Sequence, residues 1–220
     1  MKILLSETKL FRGIDKSEIW HILECLGAVE KSFARGEYIL REGDTTDSLG
    51  LVLSGSVVME YSDAWGQNSL IGSARPGEVF AESYACIPGE RLMISVRAAE
   101  DAEILLLSVA RLLDGGCGAC RKNPTLLRNL LTVCAGRSLA LSRRIVHTSP
   151  KTIRARLMSY FSECAKRSGG AFVVPYNRQQ LADYLSVDRS TMCSELTRMR
   201  RCGMISFEKN RFEILTPAEE

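Results

Sequence analysis

Histidine is nearly absent: only His21 and His147 occur among 220 residues, far apart in the chain. A multi-histidine metal centre therefore cannot be built, no metal is expected, and no catalytic residue is assigned. The scattered GE and GD pairs fit turns and carry no P-loop lysine, so a phosphate-gripping loop is missing too. No apolar stretch approaches the length that spans a bilayer, and the opening MKILLSETKLF has too short an apolar run for a signal peptide. A cytoplasmic protein without a membrane partner is expected. Repeats and low-complexity segments are lacking. The eight cysteines follow no signal and no regular spacing, which reads as reduced thiols rather than a disulfide framework.

What is present is ordinary in amount and uneven in placement. Hydrophobic content of 45% and charged content of 25% suit a globular protein, and 220 residues divide most readily into two modest cores. Between Phe33 and Ser108, short apolar or alternating runs (RGEYIL, LGLVLSG, SVVMEYSD, RPGEVF, PGERLMISVRA, AEILLLS) are punctuated by glycine-containing turns. Many strands at such spacing imply a sandwich or barrel. Before them, residues 15–26 place Ile19, Ile22, Leu23 and Leu26 on one helical face, as a lid packed on the strands.

Residues 177–202 read as two short helices joined by a tight turn. Asn177 caps the first, with Gln180 placed to complete a capping box, and Leu181, Tyr184 and Leu185 form its inner face around the small Ala182. Leu185-Ser186-Val187 makes the turn and Asp188 caps the second helix. There Met192, Leu196 and Met199 repeat as one buried stripe, leaving Arg189, Ser190, Ser194 and Arg198 on or beside the exposed face. Downstream, ISFEKNRFEIL alternates around Lys209-Asn210, the signature of a hairpin with a basic tip. From Ser149 to Thr216 there are twelve Lys or Arg against six Asp or Glu, whereas residues 1–148 hold seventeen against eighteen. The whole-chain charge of +3 hides a basic C-terminal lobe suited to phosphate contacts.

Residues 124–148 connect the two halves. Leu127, Leu131, Cys134, Ser138, Leu141, Ile145 and Thr148 fall at alternating steps of four and three, a heptad seam for a two-stranded coiled coil. A single long helix lying on its own barrel is the other reading of the same pattern. Dimerisation suits a DNA reader, because two recognition helices related by a twofold axis enter successive major grooves of a palindromic duplex.

In order and spacing, REGD, LGLVLSGSV, PGEVFAES, SVRAAEDAEILLLS and NRQQLADYLSVDRST resemble the Crp/Fnr family of bacterial transcription regulators across essentially the whole chain. The resemblance implies an α+β protein: a double-stranded β-helix (β-roll) over residues 1–120 that senses an effector, a dimerisation helix over 121–148, and a winged helix-turn-helix over 149–220. It implies a homodimer, palindromic double-stranded DNA and RNA polymerase as partners. Carried onto this chain, base contacts fall to Arg189, Ser190 and Ser194, with Thr191 and Arg198 beside them and Arg178, Lys209 and Arg211 as phosphate clamps. Many relatives have arginine where Ser194 stands and glycine where Ser186 stands.

The departures bear on the effector. Cyclic-AMP-binding members use a Gly-Glu-Leu turn and a later Arg-Ser pair, and this chain has Ala81-Glu82-Ser83 and, anchored on Val96-Arg97-Ala98, Leu92-Met93. Arg91 is one residue off and would point to the other face of a strand. Without that charge pairing a buried phosphate is costly, so cyclic AMP is not expected to be the ligand. An unidentified, more apolar effector is expected near Glu82, Ser83, Leu92 and Met93. The competing reading is a thiol switch at Cys117 and Cys120, which stand at C-x-x-C spacing in GGCGAC; the cysteine group of oxygen-sensing relatives is absent, the N-terminal region offering Cys25 alone. An adaptor that binds no DNA, or a β-roll enzyme, remains as the alternative from another class.

Overall fold

The structure is a computed structural model that describes residues 5–62, 68–113 and 124–215. It divides into two compact units, residues 1–136 and 137–220.

The first unit opens on a 3-10 turn (Leu5–Glu7) and helix α1 (Lys16–Cys25). Asp15 caps α1 by accepting from the Ser17 amide at 2.9 Å, and Ile19, Ile22 and Leu23 are buried as their spacing requires. Eight strands follow: β1 (Val29–Phe33), β2 (Tyr38–Leu40), β3 (Ser48–Ser54), β4 (Val57–Ser62), β5 (Asn68–Ala74), β6 (Val79–Phe80), β7 (Ser95–Ala98) and β8 (Ala102–Ser108). They form two antiparallel four-stranded sheets ordered β1-β8-β3-β6 and β2-β7-β4-β5, with the short helices α2 (Glu82–Ala85) and α3 (Val109–Leu113) interposed or appended.

The continuous apolar run in β3 has a simple cause. Val52 joins Ile104, Phe80, Val57 and Val96 in the core between the sheets, while Leu49, Leu51 and Leu53 join Ile22, Leu23, Leu105 and Leu107 in a second core under α1. A strand covered on both faces needs no polar side. Gly50 is required by this packing, because a Cβ there would overlap the ring of Phe80.

The long helix α4 (Pro124–Thr148) runs through the boundary between the units. Leu126 and Leu130 bury one stripe in the first unit's core, and Asn129 donates to the carbonyls of Leu10 and Arg12 at 2.9 and 2.8 Å.

The second unit contains α5 (Ile153–Ser168), β9 (Phe172–Val173), α6 (Arg178–Leu185), α7 (Arg189–Arg201), β10 (Ile205–Glu208) and β11 (Arg211–Ile214). Its sheet order is β10-β11-β9. Leu157, Phe161, Phe172, Leu181, Leu185, Met192, Leu196 and Phe212 form its core, so two helices and a hairpin pack on α5 as a winged helix-turn-helix.

Candidate nucleic-acid interface and effector site

The DNA-facing half is built from its caps. Asn177 Oδ1 accepts from the Gln180 amide and Gln180 Oε1 from the Asn177 amide, each at 2.9 Å, closing the capping box at the start of α6. Ser186 ends α6 in the left-handed region at φ 54°, where the Val187 amide bonds the Ala182 carbonyl at 3.0 Å. Asp188 Oδ1 then accepts from the Thr191 amide at 2.8 Å and from the Ser190 and Thr191 hydroxyls at 2.6 and 2.7 Å. Those bonds, the Ser190 hydroxyl foremost, hold the Asp188 carboxyl down at about 2.

Because Met192, Leu196 and Met199 are buried, Arg189, Ser190, Thr191, Ser194 and Arg198 are exposed together. Neither the Arg189 nor the Arg198 guanidinium is engaged by another described residue. The Ser194 hydroxyl donates back to the Ser190 carbonyl at 3.0 Å, and Arg154 holds α7 to α5 through Glu195 at 2.6 Å. At the wing tip Lys209 turns the chain at φ 50°, and both it and Arg211 are exposed.

Arg178 differs from its expected role as an outward clamp. Its guanidinium lies over the Phe207 and Phe212 rings at 5.4 and 4.9 Å, and Nη2 donates to the Lys209 carbonyl at 2.8 Å. Nη1 is buried, and desolvation lowers the basicity of the group. The aromatic inner face of the wing draws the cation inward, so Arg178 braces the wing.

The four residues expected around the effector divide between inside and outside. Glu82, at the start of α2, is 0% exposed and Leu92 is 2% exposed, whereas Met93 is 65% exposed and Ser83 also faces solvent. Neighbours on a helix or an extended chain cannot share one face, which corrects the expectation of a single lining made by all four. Ala81 adopts φ 58° to turn the chain into α2. Arg91 is exposed and donates from Nη1 to the Gly43 carbonyl at 2.9 Å. A cleft of about 570 Å³ opens elsewhere on this unit, beside α1 and β1, with Trp20, His21, Glu24 and Glu30 at its edge over Leu53 and Leu105.

The seam residues Leu127, Leu131, Ser138, Leu141 and Ile145 are exposed in the single chain. Cys134 is half-buried against the first unit's core, and Thr148 donates to the Arg144 carbonyl at 2.8 Å. One stripe of the helix, Leu126 and Leu130, covers its own β-roll, and the heptad stripe is left open in the single chain. Leu139 and Val146, missed by the heptad reading, are exposed roughly 110° around the helix from the seam.

Cys117 and Cys120 lie outside the described residues. Cys25 is disulfide-bonded, which corrects the expectation of reduced thiols throughout, whereas Cys86, Cys134, Cys164, Cys193 and Cys202 are free. Burial raises the Cys86 and Cys164 thiols and keeps them protonated. His147, near the end of the long helix, is 3% exposed, because Tyr160, Glu163 and Tyr184 enclose its ring. Nothing local in the sequence marks that burial. Among the described residues no cluster of metal-ligating side chains occurs, and no helix is long and apolar enough to cross a membrane.

With this geometry in place, residues 30–114 match the cyclic nucleotide-binding domain family and residues 155–219 the Crp-like helix-turn-helix domain family. Together these matches cover about two thirds of the chain, and the protein belongs to the Crp/Fnr family of transcription regulators. It is 24% identical over 214 residues to the CRP-like cAMP-activated global transcriptional regulator of Mycobacterium tuberculosis, spanning 94% of this chain and 92% of that one. To the transcriptional activator protein FnrL of Cereibacter sphaeroides it is 21% identical over 196 residues, spanning 84% and 76%. The solved structure of CprK complexed with OCPA has the same fold at a TM-score of 0.65 and 14% identity, covering 90% of this chain and 91% of that one.

Proposed function

We propose that this regulator is a homodimer that reads a palindromic duplex through α7 and answers to a small effector other than cyclic AMP. The observation that carries the DNA reading is the exposed set Arg189, Ser190, Ser194 and Arg198 on a helix whose opposite stripe is wholly buried. Arg189 is the principal base reader, since a guanidinium can bond guanine through two donors. Ser190 and Thr191, at the helix start, serve phosphate or base, and Lys209 and Arg211 clamp the backbone. The seam from Leu127 to Ile145 joins the two protomers, and RNA polymerase is the downstream partner. The working division is a sensing β-roll over 1–120, a dimerisation helix over 121–148 and a DNA-binding lobe over 149–220.

For the effector, the supporting observation is the buried Leu92 standing where cyclic-AMP-binding members carry arginine. A phosphate brought there would meet hydrocarbon instead of a cation. Glu82 and Leu92 remain the inward-facing pair of the sensing site. The relatives are compatible with several ligands: one is named as cAMP-activated and another is complexed with OCPA.

A second reading is favoured by the disulfide at Cys25 and by the C-x-x-C spacing of Cys117 and Cys120 in the sequence. In that reading thiol oxidation sets DNA affinity. The test is selection of duplexes from a random pool by the purified protein, with reduced thiols, after mild oxidation, and with cyclic AMP. An enriched palindrome unaffected by cyclic AMP supports the main reading, recovery that changes only on oxidation supports the second, and no enrichment refutes both. Arg189→Ala is expected to relax the selected sequence at one position per half-site, a loss of about 1–3 kcal/mol of discrimination.

A further inference from the structure

Three side chains from α4 and α5 converge on the C-terminal end of α6. Arg144 donates from Nε to the Tyr184 carbonyl at 3.2 Å and from Nη2 to the Asp183 carbonyl at 3.1 Å. Arg156 donates from Nη1 to the Leu185 and Ser186 carbonyls at 3.1 and 2.9 Å, and from Nε to the Pro150 carbonyl at 2.8 Å. Of these, the Tyr184, Leu185 and Ser186 carbonyls lie at the helix end that leaves such groups without partners along its own axis, at the negative pole of its dipole. His147 completes the joint at side-chain level. Its Nε2 lies 2.9 Å from Glu163 Oε2 on α5, and its Nδ1 lies 2.9 Å from the Tyr184 hydroxyl on α6. Tyr160 meets the imidazole edge-on at 5.4 Å between ring centres, Tyr176 stacks on Tyr184, and Arg143 reaches Glu163 at 3.5 Å.

We infer that His147 and Tyr184 form a coupling pin, making His147 a positioning residue that locks the last turns of α4 to the helix-turn-helix. This rests on the DNA-binding reading above. Both ring nitrogens are used: Nε2 pairs with the Glu163 carboxylate and Nδ1 with the Tyr184 hydroxyl. With the ring itself buried, the two bonds tie ring orientation to the position of α6. Leu185 of α6 shares a core with Met192 and Leu196 of α7, so the recognition helix follows α6. The same last turns of α4 carry the open seam residues Leu141 and Ile145. A rotation of the seam is thereby handed to α7, where a hinge of packing alone would let the two slip.

The test compares Tyr184→Phe, His147→Leu, His147→Gln and the double variant Tyr184→Phe/His147→Leu, each checked for melting temperature and oligomeric state. If the pin orders the lobe, Tyr184→Phe and His147→Leu each weaken binding of the selected duplex about tenfold, as the population of DNA-ready lobes falls. The double variant is expected to lose no more than either single one. His147→Gln is expected to recover most of the loss, because its amide offers a donor to Glu163 and an acceptor to the Tyr184 hydroxyl. Additive losses, unchanged affinity, or a glutamine no better than leucine would overturn the inference. Amide hydrogen exchange over residues 143–148 and 181–186 reads the pin without DNA. Concerted loss of protection in both segments of Tyr184→Phe is expected, and protection unchanged in either one overturns the pin. A wild-type protein that selects no duplex refutes the DNA reading instead, and the exchange result still decides the pin.

Discussion

Replacing Leu141 by glutamate tests the dimer seam at a position where the protomer itself has little to lose. Leu141 is 63% exposed in the single chain, so the substitution removes almost no contact within the protomer. Fully burying a leucine is worth about 1.5–3 kcal/mol, so covering the exposed portion contributes about 1–2 kcal/mol per chain. In a twofold interface every residue acts twice, which brings the loss to about 2–4 kcal/mol. Two carboxylates brought toward each other in an apolar seam add a further cost of roughly 2 kcal/mol. At about 1.4 kcal/mol per tenfold, the dissociation constant should rise by about three to four orders of magnitude. Sedimentation equilibrium over nanomolar to micromolar concentration measures it directly. Ala140→Glu, on an exposed position facing roughly the other way around the helix, serves as the control and should leave the dimer unchanged. An unaltered dissociation constant for Leu141→Glu would show that the seam is not the interface, and equal weakening by both variants would show that helix charge rather than seam burial governs association.

Ala81 and Ser186 sit in the left-handed region at φ 58° and 54°, so glycine at either position should stabilise its unit by about 0.5–1 kcal/mol after allowing for glycine's greater freedom when unfolded, read from urea midpoints. Lower stability for Ala81→Gly would mean that the backbone there is not strained. Gly50→Ala places a Cβ into the ring of the fully buried Phe80 and should cost about 1–3 kcal/mol, with the loss confined to the unfolding of residues 1–136; a neutral result would refute the tight approach of β3 and β6. The Asp188 carboxyl, held at about 2 chiefly by the Ser190 hydroxyl, has a folded value below its ordinary 3.8. Its contribution to the α7 start is therefore fully present above about pH 4 and is lost as pH falls through about 2. A carboxyl NMR titration with an ordinary midpoint would refute that capping geometry.

Much of the architecture was legible in local patterns. The capping box at Asn177, the cap at Asp188 and the Met192, Leu196, Met199 stripe depend on residues three and four apart, and such signals need no knowledge of the rest of the chain. Glycine-punctuated strands and the α1 stripe were readable for the same reason. The heptad pattern on α4 was legible but ambiguous, because periodicity says which residues share a face and not what covers it.

Tertiary structure settled the questions of direction. Only folding puts Tyr160, Glu163 and Tyr184 around His147, since those residues come from two other helices. Likewise Arg178 becomes a brace once β10 and β11 bring Phe207 and Phe212 beneath it. Leu92 and Met93 are adjacent and both apolar, yet one is buried in the β-roll and the other meets solvent. The sequence by itself therefore determined the caps of α6 and α7, the apolar stripes of α1 and α7 and which lobe is basic, because those follow from local hydrogen bonding, periodicity and charge. Which polar groups are buried, and against what, was decided by contacts between segments distant in the chain, where desolvation and geometry outweigh local preference.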